Sequence, residues 1–472
     1  MSVRLETSPT SVPFYLSLAL AETVAVLEIT MTYVALPKML KVFGSLDTVI
    51  WVITANFLVA GSTAALVGRL GDMYGRRRVL IAVLTLACVG TLISIFSTQF
   101  IYLVIGRGLE GIGISLVPLS FGLVRERMPS DKVATGIGLL SVVPIAMSVL
   151  ALPIGGVLVD TFSWRSIFYF SGMVNALALL VVWRVITPSP TTKSLAKVDW
   201  LGALMFPPAI AGILYAVSIA KSVGWGNFQV HAVLLACFIV LAIWVRYELH
   251  QKCPMIDVRL LANKKIALAL FCMVMFALGA IQMTQIVSLL IQQPSWTGIG
   301  FEKSATFFGL INLPCVLLAL FGGWISARIT LIRGSRSAAM LGASLMGIAW
   351  VVISLYHSDL FLVMGMFYIA TIGYPTLYAA LQNMIVEAAP LSRTSEAAGV
   401  GAVFRMVFSA VGAQTVGILL ATSTIADPIN TTVKFPTENS FVSTFWALVG
   451  VNIVCLIVAY VIPRSSAAVR SI

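Results

Sequence analysis

Fourteen stretches of about twenty predominantly apolar residues dictate what this chain can become. They run over 13–37, 49–68, 79–97, 101–123, 133–157, 165–186, 200–219, 229–247, 266–291, 304–328, 338–356, 360–385, 397–422 and 441–462, divided by short charged or Pro/Gly-rich breaks. Each is long enough to cross a hydrocarbon layer ~30 Å thick as a helix. A helix is also the one open-chain structure that satisfies its own backbone in lipid. An all-α membrane protein is therefore expected, with the lipid bilayer as its first partner. Composition points the same way: of 472 residues 59% are hydrophobic and 10% charged, against roughly 45–50% and 25% in water-soluble domains. That balance excludes a soluble globule, a disordered tail and a nucleic-acid-binding protein.

The formal net charge of +12 belongs to the loops. With the N-terminus placed inside, 22 of the 30 Lys and Arg fall in inside segments and 6 outside, while Arg107 and Arg405 lie within spans. The inside clusters include Arg69 with Arg76–Arg78, Arg125 with Arg127 and Lys132, and Arg246 through Lys265. A bias of this size orients a multi-pass protein, so both termini are expected in the cytoplasm and the chain in the cell membrane. The first apolar run has the length of a span, so it reads as one rather than as a cleaved leader. The six cysteines and three histidines are scattered without ligand spacing, so neither a metal nor a cofactor is implied.

The spans group as six, two and six. Residues 1–190 read as an N-terminal six-helix bundle, 191–265 as a linker carrying an extra transmembrane hairpin, and 266–472 as a C-terminal six-helix bundle. Deleting the hairpin at 200–247 leaves every other loop on the same side of the membrane. The loop after span 2, GRLGDMYGRRRVL (68–80), has an echo after span 10, GGWISARITLIRGSRSAAML (322–341). Both leave an apolar span through small residues, carry arginines and enter the next span. Any inside loop collects Gly and Arg, but together with the six-two-six arithmetic the echo favours a duplicated transporter.

Gly68, Leu70, Asp72, Gly75, Arg76 and Arg77 resemble the loop signature G-x-L-a-D-r-x-G-r-r of the major facilitator superfamily. The physical need is legible: glycines let helices approach closely, and Asp72 can sit against the positive N-terminal end of a helix. The resemblance implies that Gly68, Asp72, Gly75 and Arg76 form a conformational latch, with the helix entered near Ser395 as the facing element. Taken singly, Arg76–Arg78 read as solvated loop arginines. Further stretches resemble the fourteen-helix drug:proton antiporter family. LEITMTYVALP (27–37) is similar to its helix-1 signature, with Glu28 at the acidic position and Tyr33 in place of asparagine. Arg107-Gly108-Leu109-Glu110-Gly111-Ile112-Gly113 is similar to its helix-4 signature, with Glu110 at a glutamine. Trp51-Val52-Ile53-Thr54-Ala55, Trp164-Arg165 and Val198-Asp199-Trp200-Leu201-Gly202 match the starts of its second span, its sixth span and its extra hairpin. The likeness covers nearly the whole chain and implies the major facilitator fold: two six-helix bundles plus a central two-helix hairpin. One segment departs. Where that family carries g-x-x-x-G-P-x-x-G-G on helix 5, Gly155 and Gly156 fit, but the preceding positions are Met147, Ala151 and Leu152, with proline displaced to Pro153. That motif is the one tied to export.

Of 18 acidic residues only Glu22, Glu28 and Glu110 lie well inside apolar spans, with Arg107 and Arg405 as the bases. A charge at the bilayer centre costs about 2.5–3.5 kcal/mol even on insertion scales, so such residues need a partner or an aqueous cavity. Arg107 and Glu110 are three apart and can pair on one helix face. The pair reads either as self-neutralising structure or as the base that holds a carboxylate ionised until a proton or substrate displaces it. Glu28 has no opposite charge within a turn, and desolvation favours the protonated form of an isolated carboxyl. Glu28, with Arg107 and Glu110, is therefore the candidate proton-coupling set. Glu22 lies six residues away, about 240° around the helix, and reads as a buried carboxyl or a polar mouth residue. Arg405 either binds an anionic substrate group or meets Glu28 or Glu110 across the cavity. Tyr33, Asn56, Gln282, Gln285, Asn312 and Gln382 complete the candidate substrate cavity, and interhelical hydrogen bonding is the alternative for each polar amide among them.

No G-x-x-x-x-G-K-[ST] loop is present for a primary pump, and no H-E-x-x-H or G-x-S-x-G for a membrane enzyme. A secondary transporter remains, since an ion gradient supplies ~2.3 kcal/mol per charge per 100 mV. The resemblance implies proton-coupled export of amphiphilic organic compounds, cationic ones among them, by a monomer whose partners are a small organic substrate and protons. Two intramembrane arginines and the eroded helix-5 motif favour an alternative: proton-linked uptake or facilitated transport of a specific, anionic metabolite. A non-transporting receptor on a carrier fold is the third class, and the retained Asp72 argues against it.

Overall fold

The computed structural model describes residues 12–128, 130–188, 199–251, 254, 258–389 and 394–463. Among them fourteen helices are long and apolar enough to span a membrane. The first six are α1 (Val12–Phe43), α2 (Trp51–Tyr74), α3 (Arg76–Phe96), α4 (Phe100–Arg127), α5 (Ser130–Thr161) and α6 (Ser166–Val185). A hairpin follows, α7 (Trp200–Val223) and α8 (Phe228–His250). The last six are α9 (Lys264–Gln292), α10 (Cys315–Arg333), α11 (Ser335–Leu355), α12 (Leu360–Ala388), α13 (Thr394–Leu420) and α14 (Glu438–Val461). A two-stranded antiparallel ribbon, β1 (Thr424–Ala426) and β2 (Lys434–Pro436), precedes α14. Several helices outrun their apolar stretches, because polar ends such as Ser130 and Thr161 continue the backbone ladder beyond the hydrocarbon.

Three spans that read as continuous in sequence are broken partway through. Helix α4 passes through a 3₁₀ segment at Ile112–Ser115, where Gly111 and Gly113 weaken the α-helical preference. Helix α9 does the same at Ala280–Gln282, just after Gly279. The tenth span begins as a short helix, Ala305–Ile311, and restarts at Cys315 as α10. Pro314 causes that break, since it supplies no N–H to the preceding turn. Such interruptions persist in lipid only where protein or a cavity satisfies the freed backbone groups.

Helix pairing repeats between the two sixes. Helix α1 packs on α5 and α6, α4 on α2 and α3, and α3 on α6. Likewise α9 packs on α13 and α14, α12 on α10 and α11, and α11 on α14. Adding eight to each number converts one set into the other, as expected for a duplicated bundle with an approximate two-fold axis. The turn glycines match as well: Gly75 (φ +91°) joins α2 to α3 and Gly334 (φ +85°) joins α10 to α11. An L side chain is strained in that backbone region. The hairpin lies outside the pattern, with α7 against α2 and α13. Its entry is built by Asp199, which caps α7 by accepting from Gly202 N at 2.8 Å, and by Trp244 Nε1, which donates to Gly202 O at 3.0 Å.

The two sixes meet through α2 with α13, α5 with the Ala305–Ile311 helix, and α1 with the second half of α9. Their hydrogen bonds gather at the end opposite the start of α1 and the end of α14. Ser288 Oγ donates to Tyr33 O at 2.7 Å, Gln292 Nε2 to Val34 O at 3.3 Å, and Gln414 Nε2 to Asp47 O at 3.1 Å. Asp160 Oδ2 accepts from both the backbone N and the hydroxyl of Thr306, at 2.7 and 2.8 Å, and its other oxygen lies 3.3 Å from Lys38 Nζ. The β-ribbon adds Lys434 N to Gly44 O at 3.1 Å. In the nearby loop, the hydroxyl and backbone N–H of Ser295 hold the Glu302 carboxyl below the usual carboxylate range. One end of the interface is thus closed by polar contacts and tightly packed glycines. A Cβ on Gly156 would meet Ala305 O at 2.5 Å, and one on Gly309 would meet Pro153 Cα at 2.4 Å.

Candidate functional site

Glu28, Arg107 and Glu110 converge in the N-terminal bundle, all fully or almost fully buried. Arg107 and Glu110 form an ion pair with no exposed side-chain surface, as their three-residue spacing on α4 predicts. Arg107 Nε also donates to Val52 O at 3.3 Å, and its guanidinium stands 5.9 Å from the Phe168 ring centre. Asn56 of α2 donates to Arg107 O at 3.2 Å, fixing the helix that carries the pair. Ser94 Oγ donates to Glu110 Oε1 at 3.0 Å.

Glu28 is not the isolated carboxyl its helix suggests. Thr91 Oγ1 of α3 donates to Glu28 Oε1 at 3.3 Å, one turn of α3 before the Ser94 hydroxyl that bonds Glu110, and Arg107 is within electrostatic range. The result is a buried row of Glu28, Thr91, Ser94, Glu110 and Arg107 across α1, α3 and α4. Glu28 Oε2 and Arg107 Nη2 make no hydrogen bond among the described residues. Thr91 and Ser94 were missed in sequence because hydroxyls on apolar helices usually bond back to their own turn. Both do so here as well, to Ala87 O and Gly90 O at 3.0 Å.

The facing wall belongs to the C-terminal bundle. Tyr374, Tyr378 and Gln382 recur every four residues along α12 and so share one face. Phe276 of α9 packs on both tyrosines, with ring centres 4.9 and 5.7 Å apart. Arg405 of α13 lays its guanidinium 5.2 Å from the Tyr378 ring centre. It forms no ion pair with Glu28 or Glu110; the tyrosine face takes that place. Gln382 Nε2 donates to Tyr378 Oη at 3.2 Å. Tyr33 is buried, within electrostatic range of Arg107 and of Tyr374, and its backbone O accepts from Ser288 of the other bundle at 2.7 Å. Tyr374, Tyr378 and Phe276 carry no signal in sequence, since aromatic residues on an apolar helix are ordinary core.

Other expected cavity residues lie elsewhere or serve the backbone. Gln282 donates to Ala277 O and Ser409 O at 2.8 and 3.1 Å, tying the α9 break to α13. Asn312 donates to Phe308 O at 2.6 Å and braces the break before α10. Gln285 is buried, and neither amide atom makes a hydrogen bond among the described residues. Glu22 is buried apart from the row, and its Oε1 makes no hydrogen bond among the described residues. At the other end of α2, Arg76 is a hub rather than a solvated arginine. It bonds Asp72 at 2.8 Å, Glu126 at 2.7 Å and Gly122 O at 2.9 Å. Arg77 likewise donates to Trp183 O at 2.7 Å. Gly68 is open around its Cα, and Gly75 forms the turn. The side chain of Ser395, expected opposite Asp72, lies outside the described residues.

Comparison with known proteins agrees with this architecture. The family model for the Major Facilitator Superfamily matches residues 18–413. The multidrug resistance protein Stp of Mycobacterium tuberculosis (strain CDC 1551 / Oshkosh) is 27% identical over 401 residues, covering 82% of this chain and 72% of the relative. The uridine/deoxyuridine transporter of Lactococcus lactis subsp. cremoris (strain MG1363) is 26% identical over 346 residues, 71% and 70% of the two chains. Among solved structures, a peptide transporter POT in complex with sulfate superposes with a TM-score of 0.66 at 15% identity, covering 95% of this chain and 94% of that one. With a family match across most of its length and a fold shared with solved transporters, the chain belongs to the major facilitator superfamily and is a membrane transporter.

Proposed function

We propose that this protein is a secondary active transporter that exports amphiphilic organic compounds in exchange for protons, by alternating access between its two bundles. The end that carries the start of α1 and the end of α14 is cytoplasmic on the charge bias of the loops, and the structure is then the inward-facing state. The carrying observation is the buried row of Glu28, Thr91, Ser94, Glu110 and Arg107, on the bundle whose Tyr33 meets Ser288 of the other at the interface. Two carboxylates bonded to neighbouring hydroxyls of one helix compete for a single buried arginine, Arg107. Proton uptake there weakens the hold of Arg107, and substrate bound against the tyrosine wall competes for the same region. The likeness to multidrug and methylenomycin A resistance proteins supports export. The likeness to a uridine/deoxyuridine transporter, together with the altered helix-5 motif, supports the second reading, proton-linked uptake of a specific metabolite.

Purified protein in sealed liposomes with an imposed pH gradient tests both, with ethidium and naphthalene-2-sulfonate as fluorescent probes and protein-free liposomes as the control. Export predicts probe movement opposite to the proton. Movement with the proton establishes the second reading, and flux indifferent to pH removes both. Glu28→Gln is expected to abolish gradient-driven accumulation while leaving probe exchange at equal pH. Full accumulation by that variant would remove Glu28 from the coupling step.

A further inference from the structure

Arg405 is chemically out of place. It lies near the middle of α13, it forms no ion pair or guanidinium hydrogen bond with any described residue, and its Nε is buried without a partner. An arginine at membrane depth ordinarily pairs with an acid or a row of carbonyls. The other intramembrane arginine, Arg107, is already neutralised by Glu110. Around Arg405 the surfaces are flat and aromatic: Tyr378 under its guanidinium, Phe276 stacked at 20° to Tyr378, and Tyr374 within electrostatic range. Gln382, bonded to the Tyr378 hydroxyl, keeps its Oε1 buried and unpartnered beside them.

From this placement we infer that the C-terminal bundle holds a subsite for a planar aromatic anion, a ring carrying a carboxylate or sulfonate. Arg405 takes the anionic group and the half-buried Tyr374–Tyr378 face, backed by the buried Phe276, takes the ring. The guanidinium offers a fork of N–H donors matched to a two-oxygen acid group, and stacking on Tyr378 holds that fork in plane without consuming its donors. The aromatic wall supplies the apolar contact area that a small ligand needs, with few polar groups to fix its orientation. The inference rests on the reading that the space between the bundles is the transport path, and it names the substrate class that path takes.

Equilibrium binding to the full-length protein in detergent, measured by calorimetry, isolates the claim from transport. The probes are naphthalene-2-sulfonate and its neutral analogue naphthalene-2-sulfonamide, which share the ring and nearly the same volume. The sulfonate is expected to bind at least about tenfold more tightly, the scale of one charge-assisted hydrogen bond. Arg405→Gln is expected to remove that preference while leaving sulfonamide binding within about twofold, on the order of measurement scatter. Retained sulfonamide binding also shows that the variant is folded. Arg405→Lys is expected to keep part of the preference, and Tyr378→Leu to weaken both probes together. Equal affinities in the wild type overturn the subsite, as does an anion preference that survives Arg405→Gln. Proton-driven flux with no role for Arg405 sinks this inference alone. Loss of pH-driven flux with the anion preference intact sinks the transport reading instead.

Discussion

Thr91 makes the site an arrangement rather than a set of charges. Its hydroxyl bonds Glu28 from a helix that also bonds Glu110 through Ser94 and carries neither acid. Thr91→Val keeps the side-chain shape and removes that bond. Proton-driven flux is expected to fall about tenfold, the equivalent of ~1.4 kcal/mol on the barrier, with a displaced pH–rate profile that Thr91→Ser restores. An unchanged profile would reduce Thr91 to a packing residue. The Arg107–Glu110 pair makes a thermodynamic prediction. Removing one partner strands a buried charge and costs about 3–5 kcal/mol, whereas replacing both by apolar side chains costs far less. Thermal unfolding in detergent should therefore rank Arg107→Met and Glu110→Leu each below the double variant, and additive losses would contradict the coupling. In sequence the three charged residues stood out, because hydrocarbon makes each one an exception. Their hydroxyl partners and the facing tyrosines did not, because such residues are unremarkable on any apolar helix.

At the scale of elements, the broken helices decide where the bundles touch. The Ala305–Ile311 helix exists as a separate piece because of the Asn312–Pro314 turn, and that piece is what α5 packs against. Asp160 at the end of α5 binds the N-terminal turn of this short helix through Thr306, with Lys38 alongside. A carboxylate there is stabilised by the free N–H groups of that turn. Gly156 and Gly309 bring the two backbones into contact. Gly309→Leu places a side chain where Pro153 already stands, so the closed end cannot form as observed. Spin labels at the exposed positions Phe162 and Ser295, in a cysteine-free background, are expected to show a growing longer-distance population by electron–electron resonance. Asp160→Asn should move it the same way, to a smaller extent. An unchanged distance distribution in Gly309→Leu would show that this packing is not part of the gate. The fourteen apolar stretches announced the spans, but their interruptions depend on glycine and proline positions whose effect is local and easily outvoted by a long apolar run.

For the molecule as a whole, the proposed alternating-access reading takes the repeated helix pairing and the one closed end as one of two states related by rocking of the bundles about the interface. The closed end brings α2 and α13 close enough to be tied covalently. A Cβ on Gly417 would lie 3.3 Å from Ile50 Cβ, near the ~3.5–4.5 Å spacing that a disulfide requires. The double variant Ile50→Cys with Gly417→Cys, in a cysteine-free background, is expected to lose transport on oxidation and regain it with dithiothreitol, while probe binding from the open end persists. Transport that continues in the oxidised, cross-linked protein would show that this end need not open.

Sequence by itself determined that the chain lives in lipid, how many times it crosses, and which buried charges are exceptional. These follow from the cost of exposing polar groups to hydrocarbon, which acts on each residue wherever it lies along the chain. Tertiary structure alone decided which charges meet, that one helix bonds Glu28 and Glu110 through Thr91 and Ser94, that Arg405 faces tyrosines rather than acids, and which end is shut. Those outcomes depend on residues 51 to 360 positions apart in the chain being brought side by side, and pairing at that range leaves no periodic trace in the sequence.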